Sequence, residues 1–387
     1  MTCTTAECAL ELDGGDERVT LLRDGVEAVP AMLKAVRCAV REIVLEMYWL
    51  DGSVLGLAFV EALTERARAG VAVRVLYDAF GSFGVDRAIF VPLREAGGQV
   101  VEFNPVAPWR RRFRAGWISQ RDHRKMLAVD GRVAFVGGLN LGLPWLCREE
   151  GGGGWRDDVA MVVGPAAARV RTLFFDTWVR QGGDAAGELP PRTARERAAE
   201  TRRELKSVTA VLGHDAWGAR RVLRRAYLSR IAGSERRVLI ANAYFVPDLA
   251  VQRALRRAAR RGVEVRVICP KESDVPPVQY AGEWLYRDLM RAGVRIHQWT
   301  GSVLHAKTLL VDDWATTGSY NLDYRSLRYN LEANLASADP SFVRQVEASM
   351  RRDLAEHCLE VDPAAWARRP WMEKLRSSFF YLMRKVL

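Results

Sequence analysis

A chain of 387 residues has room for two or three domains with cores of their own, and 49% hydrophobic against 27% charged residues excludes a disordered or fibrous protein. No apolar run reaches the ~18 residues of a membrane-spanning helix, and the opening MTCTTAECALELDGGDER is acidic where a secretory leader is basic, so the sequence predicts a cytoplasmic protein. The 58 Lys and Arg against 47 Asp and Glu leave a net charge of +11, which favours a polyanionic partner, either nucleic acid or an anionic membrane surface.

In chain order, one half-length unit is written twice. REIVLEMYW (41–49) predicts a strand, a helical stretch follows, and ARAGVAVRVLYD (67–78), a second helix, REAGGQVVEF (94–103) and HRKMLAVDGRVAFVGGLN (123–140) complete the first copy. The segment GGDAAGELPPRTARERAAETRRELK (182–206) is rich in Gly, Pro and charge and reads as a surface linker. ERRVLIANAYFVP (235–247), ALRRAARRGVEVRVI (254–268), EWLYRDLMRAGVRIHQW (283–299) and HAKTLLVDDWATTGSYN (305–321) then repeat the same parts in the same order. Short β-branched runs alternating with helical spacing predict an α/β fold: two tandem domains, each a mixed, mostly parallel sheet flanked by helices. The expected division is 1–185, a linker over 186–208, a second domain over 209–345 and a helical tail over 346–387. Six scattered cysteines without a CxxC pair fit thiols in a reducing compartment better than a disulfide frame or zinc site.

Each copy ends in H-x-K-x4-D, at His123, Lys125 and Asp130 and again at His305, Lys307 and Asp312. One chance match is expected roughly 0.005 times in such a chain, so two at equivalent places are significant. On a strand, residues i and i+2 share a face, which brings imidazole and ammonium to one site, while the aspartate has opposite parity and falls at the strand end. Asp130-Gly131 is a favoured two-residue hairpin turn, so Asp130 and Asp312 read as scaffold. The return strands end in Gly137-Gly138-Leu139-Asn140 and Gly318-Ser319-Tyr320-Asn321, small segments that let a phosphate approach the backbone beside an Asn amide and a Lys ammonium. Downstream, Asp157 and Glu332 each sit in an apolar setting, where a carboxylate either orients a histidine or makes an ordinary surface ion pair. No cluster of His, Cys and carboxylates offers a metal site, so the chemistry is expected to need no metal and no cofactor.

HRKMLAVD with GGLN and HAKTLLVD with GSYNLD resemble the two signature motifs of the phospholipase D superfamily. VLIANAYFVPD, RAARRGVEVRVI and NLEAN extend the resemblance, over about residues 18–340, to the bacterial cardiolipin synthases, most closely the shorter B-type form without two N-terminal membrane spans. The resemblance implies one composite site formed by His123, Lys125, Asn140, His305, Lys307, Ser319 and Asn321. It further implies that one histidine, His123 by analogy, attacks phosphorus to form a phosphatidyl-histidine while the other serves as acid and base. The donor would be phosphatidylglycerol, the acceptor a hydroxyl of a second phospholipid, the partner an anionic membrane met peripherally at its inner face; nucleic acid is not the substrate the resemblance points to. The alternative is a phosphodiesterase of the same superfamily acting on phospholipid or nucleic acid. Two departures stand out: the second hairpin is one residue shorter between Asp312 and Gly318, and Gly138 stands where the family often has Ser.

Between Gly70 and His123 the first copy has 53 positions, against 43 from Gly262 to His305. The excess falls in PWRRRFRAGWISQR (108–121), whose arginines and aromatics suit a phospholipid headgroup layer, single-stranded nucleic acid or plain solvent. Gly151–Gly154 reads equally as linker or lid. In ARRPWMEKLRSSFFYLMRKVL (367–387), helical spacing gathers Trp371, Met372, Leu375, Phe379, Leu382, Met383 and Val386 on one stripe, with Phe380 and Leu387 as extra apolar surface. That pattern suits either an interfacial helix or a cover for the protein's own core.

Overall fold

The computed structural model describes residues 17–110, 112–184, 206–214 and 221–387, with Glu196 and Arg203 besides. Most of the expected linker, 186–208, lies outside the described residues. In the first half β1 (Arg18–Arg23), β2 (Glu42–Met47), β3 (Ala72–Asp78), β4 (Gln99–Phe103), β5 (Lys125–Val129), β6 (Val133–Gly137) and β7 (Asp158–Val163) form a seven-stranded sheet in the order β1-β7-β6-β5-β2-β3-β4. In the second, β8 (Thr209–His214), β9 (Arg237–Asn242), β10 (Glu264–Pro270), β11 (Arg295–Trp299), β12 (Lys307–Val311), β13 (Trp314–Gly318), β14 (Glu332–Ser337) and β15 (Cys358–Glu360) form an eight-stranded sheet in the order β15-β11-β10-β9-β12-β13-β14-β8.

Only β2-β3-β4 and β9-β10-β11 run parallel. Every hairpin-connected strand beside them is antiparallel, so each sheet is mixed, with fewer parallel neighbours than the alternation of helix and strand suggests. Hairpins need no crossover helix, which is why that alternation misses them. The parallel strands end at Met47, Asp78 and Phe103 in one half and at Asn242, Pro270 and Trp299 in the other. Because β5 pairs antiparallel with β2, Lys125 lies opposite Met47, and Lys307 likewise lies opposite Asn242. Both motifs therefore begin at the C-terminal edge of the parallel strands, where α/β sheets place their ligands.

The helices form three layers. Against the outer face of the first sheet lie α1 (Asp24–Arg37), α2 (Val54–Arg68) and α3 (Val91–Glu95); against that of the second lie α5 (Val222–Ala232), α6 (Leu249–Arg260) and α7 (Pro276–Met290). The inner faces of both sheets share one apolar cluster with α4 (Pro165–Arg180) and α9 (Pro340–Glu356), so the halves pack through a common core. A short α8 (Tyr324–Arg328) precedes β14. Helix α9 runs straight through residue 345, the expected end of the second domain, and buries Val346 and Met350 in the shared core. It also reaches the first sheet, where Gln345 accepts a hydrogen bond from the Leu21 N–H at 3.0 Å. Buried Arg156 ties the same elements together through Asp158 at 2.6 Å and Asp353 at 2.9 Å. The Asp158 and Asp353 carboxylates, the Asp157 carbonyl and the Ser349 hydroxyl satisfy its guanidinium, the condition under which a buried cation is tolerated.

The hairpins absorb the one-residue difference between the copies. Val311 pairs with Trp314 across a two-residue Asp312-Asp313 turn, whereas Val129 pairs with Val133 across three residues, Asp130, Gly131 and Arg132. The first turn is thus one residue longer than expected: Asp130 and Gly131 take positive φ of 55° and 65°, and Arg132 is the extra residue. Both aspartates staple the hairpin to the neighbouring strand. Asp130 accepts from the N–H groups of Val40, Arg41 and Glu42 at 2.8–3.0 Å, and Asp312 from those of Glu235, Arg236 and Arg237 at 2.9 Å. Partial burial pushes the Asp312 carboxyl up, but these three donors outweigh it and hold it below the usual range.

At the C-terminus α10 (Pro363–Ala367) and α11 (Trp371–Leu382) follow β15. Phe380 and Leu387 are not free apolar surface as the helical wheel suggested: with Tyr381 they pack on Val246, Val278 and Ala281. Cys147, Cys269 and Cys358 are free thiols, while Cys38 is disulfide-bonded, against the expectation of reduced thiols throughout.

Candidate active site

Two histidines, one from each half, stand at the seam between the sheets, and each takes its partner from the opposite half. The His123 Nδ1 lies 3.1 Å from the Glu332 carboxylate and the His305 Nδ1 lies 2.7 Å from that of Asp157. The crossing is set by the backbone. The His123 N–H donates to the Leu331 carbonyl at 3.0 Å, and the His305 N–H donates to the Arg156 carbonyl at 2.7 Å. Leu331 and Arg156 directly precede the two carboxylates, so a short bridge on each side aligns acid with imidazole. With Nδ1 of each ring engaged by a carboxylate, Nε2 is the nitrogen available to a substrate, and the carboxylate selects that tautomer.

Lys125 and Lys307 fold back onto the same places: the Lys125 Nζ donates to the His123 carbonyl at 2.7 Å, and the Lys307 Nζ lies 2.9 Å from the His305 Nδ1 and also bonds the His305 carbonyl. All four side chains are buried, His123 most open at 7% and Lys307 closed at 0% exposure. Burial, reinforced by the neighbouring ammonium groups, lowers the His123 imidazole to about 4 and drives His305 well below its ordinary value. It also brings Lys125 down to about 7, with help from Lys307, and Lys307 down to about 8. The free site thus holds neutral imidazoles beside ammonium groups that are poorly solvated and crowded by each other. A phosphodiester anion between them would relieve both costs.

Ser319 also reaches this site, through Glu332. The Ser319 Oγ bonds Glu332, whose carboxylate further accepts from the Ser326 Oγ at 2.7 Å and the Asn330 amide at 3.3 Å. Burial pushes Glu332 up, yet His123, Lys125 and Ser319 together hold it below the usual range. The Asn140 Oδ1 accepts the Trp49 N–H at 3.1 Å, which holds the side chain in place and leaves its role as an acceptor filled. Asn321 is as buried, at 1%, and its Oδ1 has no partner. The Asp157 carboxyl, raised by burial against the pull of Lys307, is held instead by the Trp145 indole N–H at 2.9 Å.

The missing hydroxyl of the first half has a steric cause. A Cβ on Gly138 would sit 2.1 Å from the Asp157 Oδ1, so the carboxylate occupies the space a serine would take, and Trp145 supplies the donor. Gly138→Ser is therefore expected to displace Asp157 from His305 and lower turnover by about 10²-fold, as small misplacements in a preorganised site do. Steady-state rates beside thermal unfolding test this; a serine variant as active as the parent would contradict it.

Four aromatic residues that the motif reading passed over line the site. The Tyr48 ring lies 4.8 Å from that of His123 with the Lys125 ammonium 4.8 Å from its centre, and Tyr244 is placed similarly, 6.4 Å from His305 and 5.9 Å from Lys307. Trp145 and Trp155 pack at 5.1 and 5.8 Å from the His305 ring. The tyrosines were visible as the aligned EMYW and NAYF of the two copies; the tryptophans have no counterpart in the second. Gly151–Gly154 is no slack linker: the N–H groups of Gly152, Gly153 and Gly154 donate to Cys147, Leu143 and Leu146 at 2.9–3.2 Å, packing the turn under Trp155. In the 108–121 loop, Arg121 is buried and bonds the Asn104 carbonyl at 3.1 Å and Asp78 at 3.5 Å, whereas Trp109 is 84% exposed. Among the described residues no three His, Cys, Asp or Glu side chains gather as a metal site.

Residues 227–354 match the model of the cardiolipin synthase, PLD-like domain family. The chain is 35% identical over 340 residues to cardiolipin synthase A of Pseudomonas syringae, covering 87% of this chain and 68% of that one. With the cardiolipin synthase of Geobacillus kaustophilus it shares 30% identity over 377 residues, covering 96% and 72%. Its fold is similar to that of phosphatidylserine synthase from Haemophilus influenzae, with a TM-score of 0.72 at 14% identity over the whole of both chains.

Proposed function

Because the chain belongs to the cardiolipin synthase family, phosphatidyltransferases of the phospholipase D superfamily, we propose that it moves a phosphatidyl group from phosphatidylglycerol to a hydroxyl of a second phospholipid. The observation that carries this reading is the crossed pair of His–carboxylate units with two lysines between them. Lys125, Lys307 and the Asn321 amide hold the non-bridging oxygens of the phosphodiester. The His123 Nε2 attacks phosphorus as the bond to the glycerol oxygen breaks, and His305, protonated in the presence of the bound anion, gives its proton to that oxygen. His305, now neutral, takes the proton of the acceptor hydroxyl. The acceptor oxygen then forms its bond to phosphorus while the bond to His123 breaks. Asp157 and Glu332 act through the histidines as positioning residues.

The substrates place the reaction at a membrane, and among the described residues no helix is long and apolar enough to cross one. We place the protein peripherally on the inner face of the cell membrane. Purified protein given vesicles of labelled phosphatidylglycerol should release glycerol and form a diphosphatidyl product. Phosphatidic acid as the main product would point to a hydrolase, and no glycerol release with one or two lipid types would sink the reading.

The pH profile follows from the site. Attack needs neutral His123, so kcat/KM should fall on the acid side only near about 4, well below the ordinary histidine value. Anion binding needs charged lysines and departure of glycerol needs a proton on His305, so kcat/KM should decline as pH rises, through loss of the His305 proton and then as Lys125 and Lys307 lose theirs near about 7 and 8. An alkaline limb that stays flat to pH about 10, the ordinary lysine range, would contradict the assignment.

A further inference from the structure

Helix α11 turns its apolar stripe outward. Trp371, Met372, Leu375, Phe379 and Leu382 are each 55–74% exposed, and Val386, in the turn just beyond the helix, is 68% exposed. The helix does not need that stripe to hold its place. Its opposite face is seated on α7: Phe380 lies 5.6 Å from the Tyr280 ring, Arg376 stacks 3.8 Å over Tyr280, Tyr381 stacks 6.1 Å from Trp284 and Ser377 bonds Glu283. One face is therefore packed and the other presents a row of large apolar side chains that water does not favour.

The stripe also has a direction. Lys374, near its start, shares a cleft with Arg287 and Asp288 of α7, while Leu387 packs by Val278 at the beginning of that helix. α7 begins just after β10 ends, at the edge that carries the histidines, and Tyr244, which faces His305, belongs to the cluster that seats Phe380 and Leu387. The end of α11 is thus rooted in the wall of the active site. On the first half the same edge carries further exposed apolar groups: Phe80 and Phe83 in the loop after β3, 54% and 79% exposed, and Trp109 after β4.

We infer that the outward face of α11 is a docking surface for an anionic phospholipid bilayer, and that it sets the active site at the headgroup level of that membrane. Charge complementarity selects this occupant: residues 367–387 hold six Lys and Arg against one carboxylate, Glu373. Aromatic and aliphatic groups on one side with cations around them are what an in-plane interfacial helix presents to anionic lipid. The inference rests on the phosphatidyl-transfer reading for its account of why a membrane is there, but not for its test.

The test is co-sedimentation of the full chain with phosphatidylglycerol vesicles and with phosphatidylcholine vesicles at physiological salt. The variant carries Leu375→Gln, Phe379→Gln, Leu382→Gln and Val386→Gln, all on the exposed stripe, so the fold should survive and thermal unfolding checks that it does. The parent should bind the anionic vesicles and the variant at least about tenfold less, since most of the inserted apolar area is gone. Turnover of a short-chain phosphatidylglycerol below its micelle concentration should be alike in both proteins. Equal vesicle binding by parent and variant would overturn the inference. So would a parent dimer that the substitutions split into monomers, because a second copy would then cover the stripe. Loss of all turnover in the parent would count against the phosphatidyl-transfer reading and leave the vesicle result to decide the docking surface alone.

Discussion

His123→Ala and His305→Ala are each expected to reduce phosphatidyl transfer by roughly 10³-fold or more, and the double variant by little beyond either single one. In the proposed transfer the two imidazoles act in sequence on one phosphorus atom, so losing either would remove the whole displacement, and such losses do not add. In that proposal His123 would supply the bond to phosphorus, and without His305 the glycerol oxygen would have to leave as an alkoxide. Both rings are buried, at 7% and 4% exposure, and truncation opens a cavity beside a buried ammonium, so the folded fraction has to be measured with the rate. His→Gln at either position keeps more of the volume and should be as inactive as Ala. Added imidazole should restore part of the glycerol release in His123→Ala if the cavity admits it. A single variant that keeps a tenth of the parent rate would remove that histidine from the reaction.

Glu332→Gln is expected to cost about 10²- to 10⁴-fold in kcat with little change in KM, comparable to neutralising the acid of a catalytic triad. The amide is nearly isosteric, and Ser319, Ser326 and Asn330 can still contact it, so the loop should hold its shape. What is lost is the charge that fixes the His123 tautomer and offsets the repulsion from Lys125. The acid limb of the pH profile should then move lower still, because removing the anion disfavours the imidazolium. A merely structural glutamate would change stability and leave that limb in place. Asp157→Asn should act on the other half-reaction through His305, and because the pairing is crossed, its partner histidine lies 148 positions away rather than in its own copy.

That crossing was not legible in the sequence. The repeat, the two H-x-K-x4-D motifs and the α/β alternation are short-range patterns, and periodicity exposes them. Which carboxylate serves which histidine depends on how the halves dock, and His123 and Glu332 are 209 positions apart. Local pattern placed the aspartates correctly at turns but missed that each one binds three N–H groups of the next strand. The Gly138 departure looked like a lost donor; only the position of the Asp157 carboxylate shows why a side chain is excluded there. A helical wheel identified the stripe of α11 but could not tell its seated side from its open side, so Phe380 and Leu387 were placed on the surface. Parallel strands were overcounted for a similar reason, since strand–helix alternation does not register hairpins.

In the proposed transfer His123 carries the phosphatidyl group between donor and acceptor. Phosphatidylglycerol radiolabelled at phosphorus can be mixed with the protein without added acceptor, quenched in alkali to preserve a phosphoramidate, and the protein digested. The expected label appears within one turnover, is discharged by acceptor phospholipid, and maps to the peptide containing His123. Label on His305 would reverse the roles, and product formed with no label on the protein at any time would contradict the two-step transfer.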